Sequence, residues 1–542
     1  MFAIDAGTGS GDRFMLKSGV RAFTAIALAM AAASASATPP PGFIQRVEQL
    51  RKDFGVPGVT ITIVEDGKVT LAHGWGVRDI TANQPVDADT IFFTGSTGKA
   101  FTNAALATLV DEGKIKWDDR VIDHMPDFRM WDPWVTREMT IRDLLVHRSG
   151  LGLGEGDLLF LPNSTLSRAE TVRRIRYLKP ATSFRYGYAY DNILYMAAGQ
   201  LIEAVSGEPW ETYIHDHVFS PLGMNHSTDS AAEFEANPDH ARPHSRNSGP
   251  IHGLGQQVPL DKSGFIAQNA APAGGLAISA NDMSRWLLTQ LGHGAIPGSD
   301  KRLFSAEQSK QMWTGEVITP ARQLPAEFAV TNPHFSEYAL GWELSDYRGA
   351  KVVGHDGAVP GSQATIALLP DRKIGIFIAA NSEDGEIILG LRDELLDYYL
   401  GYPQAHWPEK FHQFKLGRLN AAAKMVQSAE AKPAAIGPSL PLDHYVGDYS
   451  DPWYGTIKVR QTANGLTIDF PHSEGMEGPL THYQYDTFKT HPKLDWVEPA
   501  YVTFSIGADG KVDRVTMKPV SPTADFSWDF QDLLFTPAGA SE

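Results

Sequence analysis

The stretch TGSTGKAFT, Thr94–Thr102, fits two incompatible chemistries. Its glycines and lysine suit a loop that wraps phosphate; its Ser96 and Lys99 suit a nucleophile and the base that activates it. A phosphate loop needs G-x-x-x-x-G-K-[ST], a length that curls backbone N–H groups around the phosphates and ends in a hydroxyl for magnesium. Phe93 stands five before Gly98 and Ala100 follows Lys99, so both requirements fail. An S-x-x-K at a helix start is different: a spacing of three puts Ser96 and Lys99 on one helical face, one turn apart. Burial disfavours a charged ammonium, which lets Lys99 accept a proton near neutral pH. The helix N-terminus turns free N–H groups toward developing negative charge. The pair alone is weak, because a capping serine beside a surface lysine is spelled the same way.

The surrounding pattern supplies a frame. Phe43, Ile44, Val47, Leu50 and Phe54 fall at helical spacing and Gly55 ends the run. In VTITIVEDGKVTLAHGWG two β-branched runs flank Asp66-Gly67, a strong hairpin signal. FTNAALATLVDEGK, MTIRDLLVHRSG, ILYMAAGQLIEAVSG and NDMSRWLLTQLG read as helices. Strands return in EYALGWELSDY, AKVVGHDG, SQATIALLP and KIGIFIAAN, followed by a helix over DGEIILGLRDELLDYYLG and another from Pro408 to Met425. Sheet, helices, then sheet again predicts one discontinuous α/β domain over 38–425 with a helical insertion and a cleft between the two parts. A polar, Pro- and Ala-rich linker over 426–440 leads to a small all-β domain over 441–542. Asn464-Gly465 and Asp509-Gly510 turn its strands and SWDF reads as its last strand. Trp453, Tyr454, Trp496 and Trp528 read as core of that domain in preference to walls of a substrate cleft.

Composition narrows the function. Of the 542 residues 42% are hydrophobic and 20% charged, ordinary globular usage spread over two or three units. A formal charge of -17 excludes a surface that binds nucleic acid by counterion release. The absence of cysteine excludes thiol catalysis, disulfides and thiolate zinc sites. Arg13, Lys17 and Arg21, the apolar run Ala22–Ala33, and Ala35-Ser36-Ala37 have the order of a signal peptide over 1–37. The run is shorter than the ~20 residues that span a bilayer, so a periplasmic or secreted protein without stable membrane insertion is expected. The acidic, Gly-rich start before Met15 predicts that translation begins at Met15.

Two further stretches join the first. Tyr190-Asp191-Asn192 is a Y-x-N before a helical run, and His355-Asp356-Gly357 is an H-x-G on a returning strand. With MTIRDLLVHRSGL, PLGMNHST, PAGGLAISANDMSRW, YALGW and NSED around them, Ser96, Tyr190 and His355 in this order resemble the penicillin-recognising serine hydrolases. That superfamily holds class C β-lactamases, DD-peptidases, D-aminopeptidases and family VIII esterases. The resemblance implies a β-lactamase/transpeptidase-like fold, an antiparallel sheet flanked by helices plus a helical subdomain, here with the C-terminal β domain appended. It implies that Ser96 is acylated while Lys99 and Tyr190 share the base role, with Lys99 as the cation that lowers the Tyr190 phenol toward phenolate. It further implies that Asn192 orients Lys99 and the substrate amide, that the N–H groups of Ser96 and Ala358 form an oxyanion hole, and that Gly357 lets a substrate backbone approach.

Many β-lactamases and DD-peptidases carry K-T-G where this chain has His355-Asp356-Gly357. A histidine, largely neutral at pH 7, weakens pairing with a substrate carboxylate and resembles the D-aminopeptidase and archaeal peptidase branches and some esterases. The expectation is therefore a serine peptidase or amidase on small or linear peptides, including ones with D- or unusual residues. A linearised cyclic peptide toxin such as microcystin is consistent with the family but has no residue-level support. A family VIII-like carboxylesterase, a class C-like β-lactamase and a non-catalytic penicillin-binding or sensor protein are the alternatives. The lack of a G-x-S-x-G elbow disfavours an α/β-hydrolase. His240, His244 and His252 cluster in sequence, but Pro243 interrupts the helix that a metal site would want, and no metal or cofactor is expected. His147 is read as a packing or capping residue, and Tyr186 and Tyr188 as packing residues or an aromatic subsite.

Overall fold

Asp66 and Gly67 both take positive φ, 45° and 77°, as a two-residue turn between right-twisted strands demands. They join β1 (Gly58–Glu65) to β2 (Lys68–Gly76) in a computed structural model that describes residues 39–261, 266–430 and 436–539. The signal peptide and the Met15 start lie outside the described residues. The free edge of β1 pairs with a strand that arrives three hundred residues later, with Ile61 opposite Ile378. Between them the chain lays down β3 (Val317–Ile318), β4 (Ser336–Tyr338), β5 (Glu343–Tyr347), β6 (Ala350–Val359), β7 (Ser362–Leu369) and β8 (Ile374–Ala380). The result is an antiparallel eight-stranded sheet in the order β2-β1-β8-β7-β6-β5-β4-β3.

Both faces of this sheet are covered, which is why β8 reads as an unbroken apolar run. On one face Ile61, Ile63, Ile376 and Ile378 pack with Val47 and Leu50 of α1 (Phe43–Phe54) and with Leu391 and Leu395 of a C-terminal helix, Gly385–Leu400. Gly55, at φ 65°, caps α1 in the left-handed conformation. On the other face Val64, Ile366 and Phe377 join the large core of the helical part. That part is built on α2 (Lys99–Asp111), α3 (Ile193–Ser206) and α4 (Ala280–Leu291). Every residue of α2 from Lys99 to Leu109 is buried, so α2 is a central helix with no solvent face.

Four expectations are corrected. MTIRDLLVHRSG forms only a short turn at Arg142–Leu144. The buried Asp143 carboxylate instead gathers Thr140, Arg148 and Arg185, and His147 adopts φ 57°, which ends any helix. EYALGWELSDY is two strands broken at Gly341 (φ 74°), whose turn presses on the first turn of α2. The helix expected to stop at Met425 is Trp407–Glu430 and runs into the segment read as linker, because Ala422, Ala423 and Val426 pack on Ile251. Beyond the linker, β9 (Gly447–Asp451), β10 (Gly455–Thr462), β11 (Gly465–Asp469), β12 (Gly478–Gln484), β13 (Thr487–Thr490), β14 (Ala500–Ile506), β15 (Val512–Pro519) and β16 (Leu534–Pro537) close into a barrel. SWDF is not one of its strands. It is an irregular stretch before β16, bent by the burial of Trp528, Asp529 and Phe530.

The two-sided sheet makes a stability prediction. Ile378→Ala removes a fully buried side chain from the face covered by α1 and should cost about 2–5 kcal/mol, read as a lower urea midpoint for the catalytic domain. A midpoint equal to wild type would show that this face can collapse around the loss.

Candidate active site

Ser96 is placed by backbone crowding. Gly95 takes φ 53°, and a Cβ there would lie 2.5 Å from Ala358 N on β6. A Cβ on Gly357 would run into the Thr94 carbonyl and stand 2.9 Å from Ser96 N. Strand β6 therefore crosses the Ser96 turn with no room for a side chain between them, bringing Ala358 beside Ser96. Gly95–Gly98 form one tight turn and α2 begins at Lys99.

Lys99 Nζ lies 3.0 Å from Ser96 Oγ, 2.7 Å from Asn192 Oδ1 and 2.8 Å from the carbonyl oxygen of Ala273. The last two oxygens only accept, so they take N–H bonds; the remaining contact faces a hydroxyl that can itself donate. A neutral amine satisfies all three by accepting the Ser96 proton on its lone pair. Burial drives the ammonium down to about 7, against the opposing pull of Asp157 and Asp191. Asn192 stands just before α3 and donates from Nδ2 to Asp157 Oδ2 at 2.9 Å. The Asp157 carboxyl is fully buried and raised to about 7, chiefly by that burial.

Tyr190 departs from the expected phenolate. Lys99 Nζ sits 4.8 Å from the centre of its ring, over the face and not at the oxygen. Burial pushes the phenol well above its ordinary value, and the lowering influence of Ser96 is smaller. The hydroxyl is buried and makes no hydrogen bond of good geometry. Burial thus favours the protonated phenol of Tyr190 beside Ser96.

His355 on β6 is buried. Its Nδ1 meets the Asp356 carbonyl at 2.6 Å and so carries the proton, leaving Nε2 to accept from the Tyr338 hydroxyl at 2.9 Å. Burial, with Lys99 nearby, lowers it to about 3, so this position supplies no cation. His147 packs as read: it is buried, its ring lies 4.2 Å from that of Tyr190, and its Nδ1 accepts from the Asp191 N–H. Tyr188 is half-buried against Tyr338, whereas Tyr186 is 80% exposed and lines nothing at the site. His240, His244 and His252 diverge onto the carbonyls of Asn237, Asn381 and Asp495.

Ser96, Asn192 and Ala358 open on a cleft of about 320 Å³. Phe160 and Leu419 line it from the catalytic domain, and Trp496 and Trp528 from the barrel. The four aromatics thus divide: Trp453 and Tyr454 belong to the barrel core, while Trp496 and Trp528, also buried, wall the cleft. Sequence reasoning missed Asp157, the Ala273 carbonyl and the barrel tryptophans' place. Asp157 sits in EGDLLF, which carries no recognisable pattern, and a main-chain acceptor leaves no trace in side-chain identity.

Comparison with known proteins agrees with this fold. Residues 43–396 match the family described as Beta-lactamase, and residues 431–537 match a domain of unknown function, DUF3471. An unguisins hydrolase of Aspergillus violaceofuscus is 28% identical over 445 residues, covering 77% of this chain and 76% of that protein. Penicillin-binding protein 4 of Amycolatopsis lactamdurans is 26% identical over 376 residues, 66% of this chain and 88% of its own. Among solved structures, the octameric penicillin-binding protein homologue from Pyrococcus abyssi shares the fold with a TM-score of 0.55 at 23% identity, covering 88% of this chain and 98% of that one.

The Lys99 environment sets a pH dependence. A lysine at about 7 is protonated below that pH and cannot accept a proton; above it the neutral amine dominates. Acylation of Ser96 by an uncharged probe should rise through one acid limb centred about pH 7 and then level off. A limb near pH 10, the range of an exposed lysine, would show that the buried amine is not the base.

Proposed function

This chain belongs to the Beta-lactamase family, and from that premise we propose that it is an exported serine peptidase or amidase working through an acyl-enzyme at Ser96. The observation that carries the proposal is the pairing of an amine poised to lose its charge, Lys99, with a protonated phenol, Tyr190, around one serine. In the proposed cycle Lys99 takes the Ser96 proton as Oγ attacks the substrate carbonyl. The N–H groups of Ser96 and Ala358 receive the oxyanion, worth on the order of 3 kcal/mol per donor in other hydrolases. Tyr190 protonates the leaving nitrogen and is reprotonated from Lys99, so the proton lost by Ser96 departs with the amine. Water then attacks the acyl carbonyl, giving up its proton to the Lys99–Tyr190 pair, and Ser96 recovers a proton as the acid leaves.

An amide needs its nitrogen protonated to leave and an ester oxygen needs far less help. A phenol held in acid form favours the amide. The neutral His355 supports the choice of peptide over β-lactam, because no cation stands there for an antibiotic carboxylate. It equally suits an uncharged ester, which makes a carboxylesterase the second reading. The cleft, walled on the barrel side by the paired rings of Trp496 and Trp528, suits a short run of a small or linear peptide, and a linearised cyclic peptide such as microcystin belongs among the substrates to try. Export rests on the signal sequence; among the described residues no helix is long and apolar enough to cross a membrane.

The mature chain incubated with a fluorophosphonate should gain a mass adduct at Ser96; no adduct, or equal labelling of Ser96→Ala, would sink the acyl-enzyme. Linear peptides, p-nitrophenyl esters and cephalosporins offered to the same preparation decide the class. Tyr190→Phe should lower peptide cleavage by roughly 10²–10⁴-fold and cleavage of activated esters by much less. Intact peptides alongside cleaved short esters would replace the peptidase with the esterase.

A further inference from the structure

The hydrogen-bond chain that starts at Ser96 leaves the catalytic domain. Lys99 Nζ donates to Asn192 Oδ1, and Asn192 Nδ2 donates to Asp157 Oδ2. The hydroxyl of Ser527, on the barrel segment between β15 and β16, donates to that same oxygen at 2.7 Å. Two residues on, the Asp529 carboxylate accepts the N–H groups of Gly156 and Leu158 at 2.7 and 3.0 Å, gripping the chain on both sides of Asp157. Phe526 stands so close that a Cβ on Gly154 would meet its ring at 2.7 Å, and that ring lies 5.9 Å from the Tyr190 ring. Lys99, Asp157, Ser527 and Asp529 are all buried.

An Asn amide can be turned either way. Its Oδ1 faces Lys99 only while Nδ2 has an acceptor behind it, and that acceptor is Asp157 Oδ2, which the Ser527 hydroxyl pins in place. We infer that Ser527 is a positioning residue for acylation: by holding Asp157 as an acceptor, it orients the Asn192 amide that keeps Lys99 against Ser96. The appended barrel then supplies a part of the catalytic apparatus as well as a wall of the cleft. This inference rests on the serine-hydrolase reading above.

The charges around the link set the sign of a test. Asp157 faces Lys99 across Asn192, and Asp525 and Asp529 from the barrel. Lys99 is faced by Asp157 and Asp191, and its charge is felt by His147 and His355. Burial, with Asp525 of the barrel, pushes Asp157 toward its neutral form, while the donors Ser527 and Asn192 and the charge of Lys99 oppose them. The other Asp157 oxygen is buried without a hydrogen-bond partner, so it is ready to take a proton. Without the Ser527 hydroxyl Asp157 protonates sooner, the negative charge that holds a proton on Lys99 fades, and Lys99 becomes neutral at lower pH. With Asp157 Oδ2 no longer pinned behind Asn192, Lys99 is also held less firmly against Ser96.

The experiment measures fluorophosphonate acylation against pH in the full mature chain, for wild type, Ser527→Ala and Ser527→Cys. The Ala variant should react at least about tenfold more slowly on the plateau, with its acid limb moved to lower pH. The Cys variant, of similar volume but a weaker donor, should lie between it and wild type. A Ser527→Ala protein with the wild-type rate and limb overturns the inference. So does a slower reaction with an unmoved limb, which is what loosened packing alone produces. If Ser527→Ala does not fold, Ser527→Cys is judged by the same two criteria. An unlabelled wild type would instead overturn the acyl-enzyme reading, and this inference with it.

Discussion

An amine without water around it governs this site. Lys99 is fully buried at the first turn of a helix that has no solvent face, and its nitrogen is surrounded by three oxygens. Desolvation penalises charge wherever it falls, and the neighbours respond alike. The Tyr190 phenol is driven up, His355 down to about 3, and the Asp157 carboxyl up to about 7. The four groups around Ser96 are each pushed toward their uncharged forms. Among them only Lys99 and Asp157 titrate near neutrality, and they sit on opposite sides of one amide. The proposed roles rest on that arrangement: the phenol keeps its proton to give, and the amine has room to take one.

Backbone proximity does what charge does not. The oxyanion donors of the proposed cycle depend on β6 lying against the Ser96 turn, and that approach exists only because Gly95 and Gly357 carry no side chain. The strand is held there by a sheet that the chain closes late, when β8 returns to pair with β1. Helices on both faces then prevent the sheet from shifting. Residues 96, 190 and 355 meet because the sheet, the helical insertion and the returning strands are one folded body.

What was legible in the sequence was what local chemistry controls. Asp66-Gly67 permits one kind of turn, the apolar periods of Phe43–Phe54 and Ile193–Ser206 suit one kind of element, and the spacing of Ser96 and Lys99 carries its own geometry. What was not legible depends on partners far along the chain. MTIRDLLVHRSG has a helical pattern, but Asp143 is claimed in part by Arg185, 42 residues away. SWDF has the look of a strand, yet Asp529 caps Gly156 and Leu158, and that docking bends it. Strands β12 and β13, GPLTHYQ and TFKT, are short and carry too little alternation to be seen without their neighbours. The upward push on the Tyr190 phenol was not legible because it follows from the depth of its hydroxyl, and motif order says nothing about depth.

The position of the barrel changes what an appended domain means here. Trp496 and Trp528 line the same cleft as Ser96 but come from the barrel. On the reading proposed, the bond is broken in one domain while side chains of the substrate are met in part by the other. The barrel segment that carries Trp528 also carries Ser527 and Asp529, which bond around Asp157. Recognition and catalysis are therefore joined over three consecutive residues.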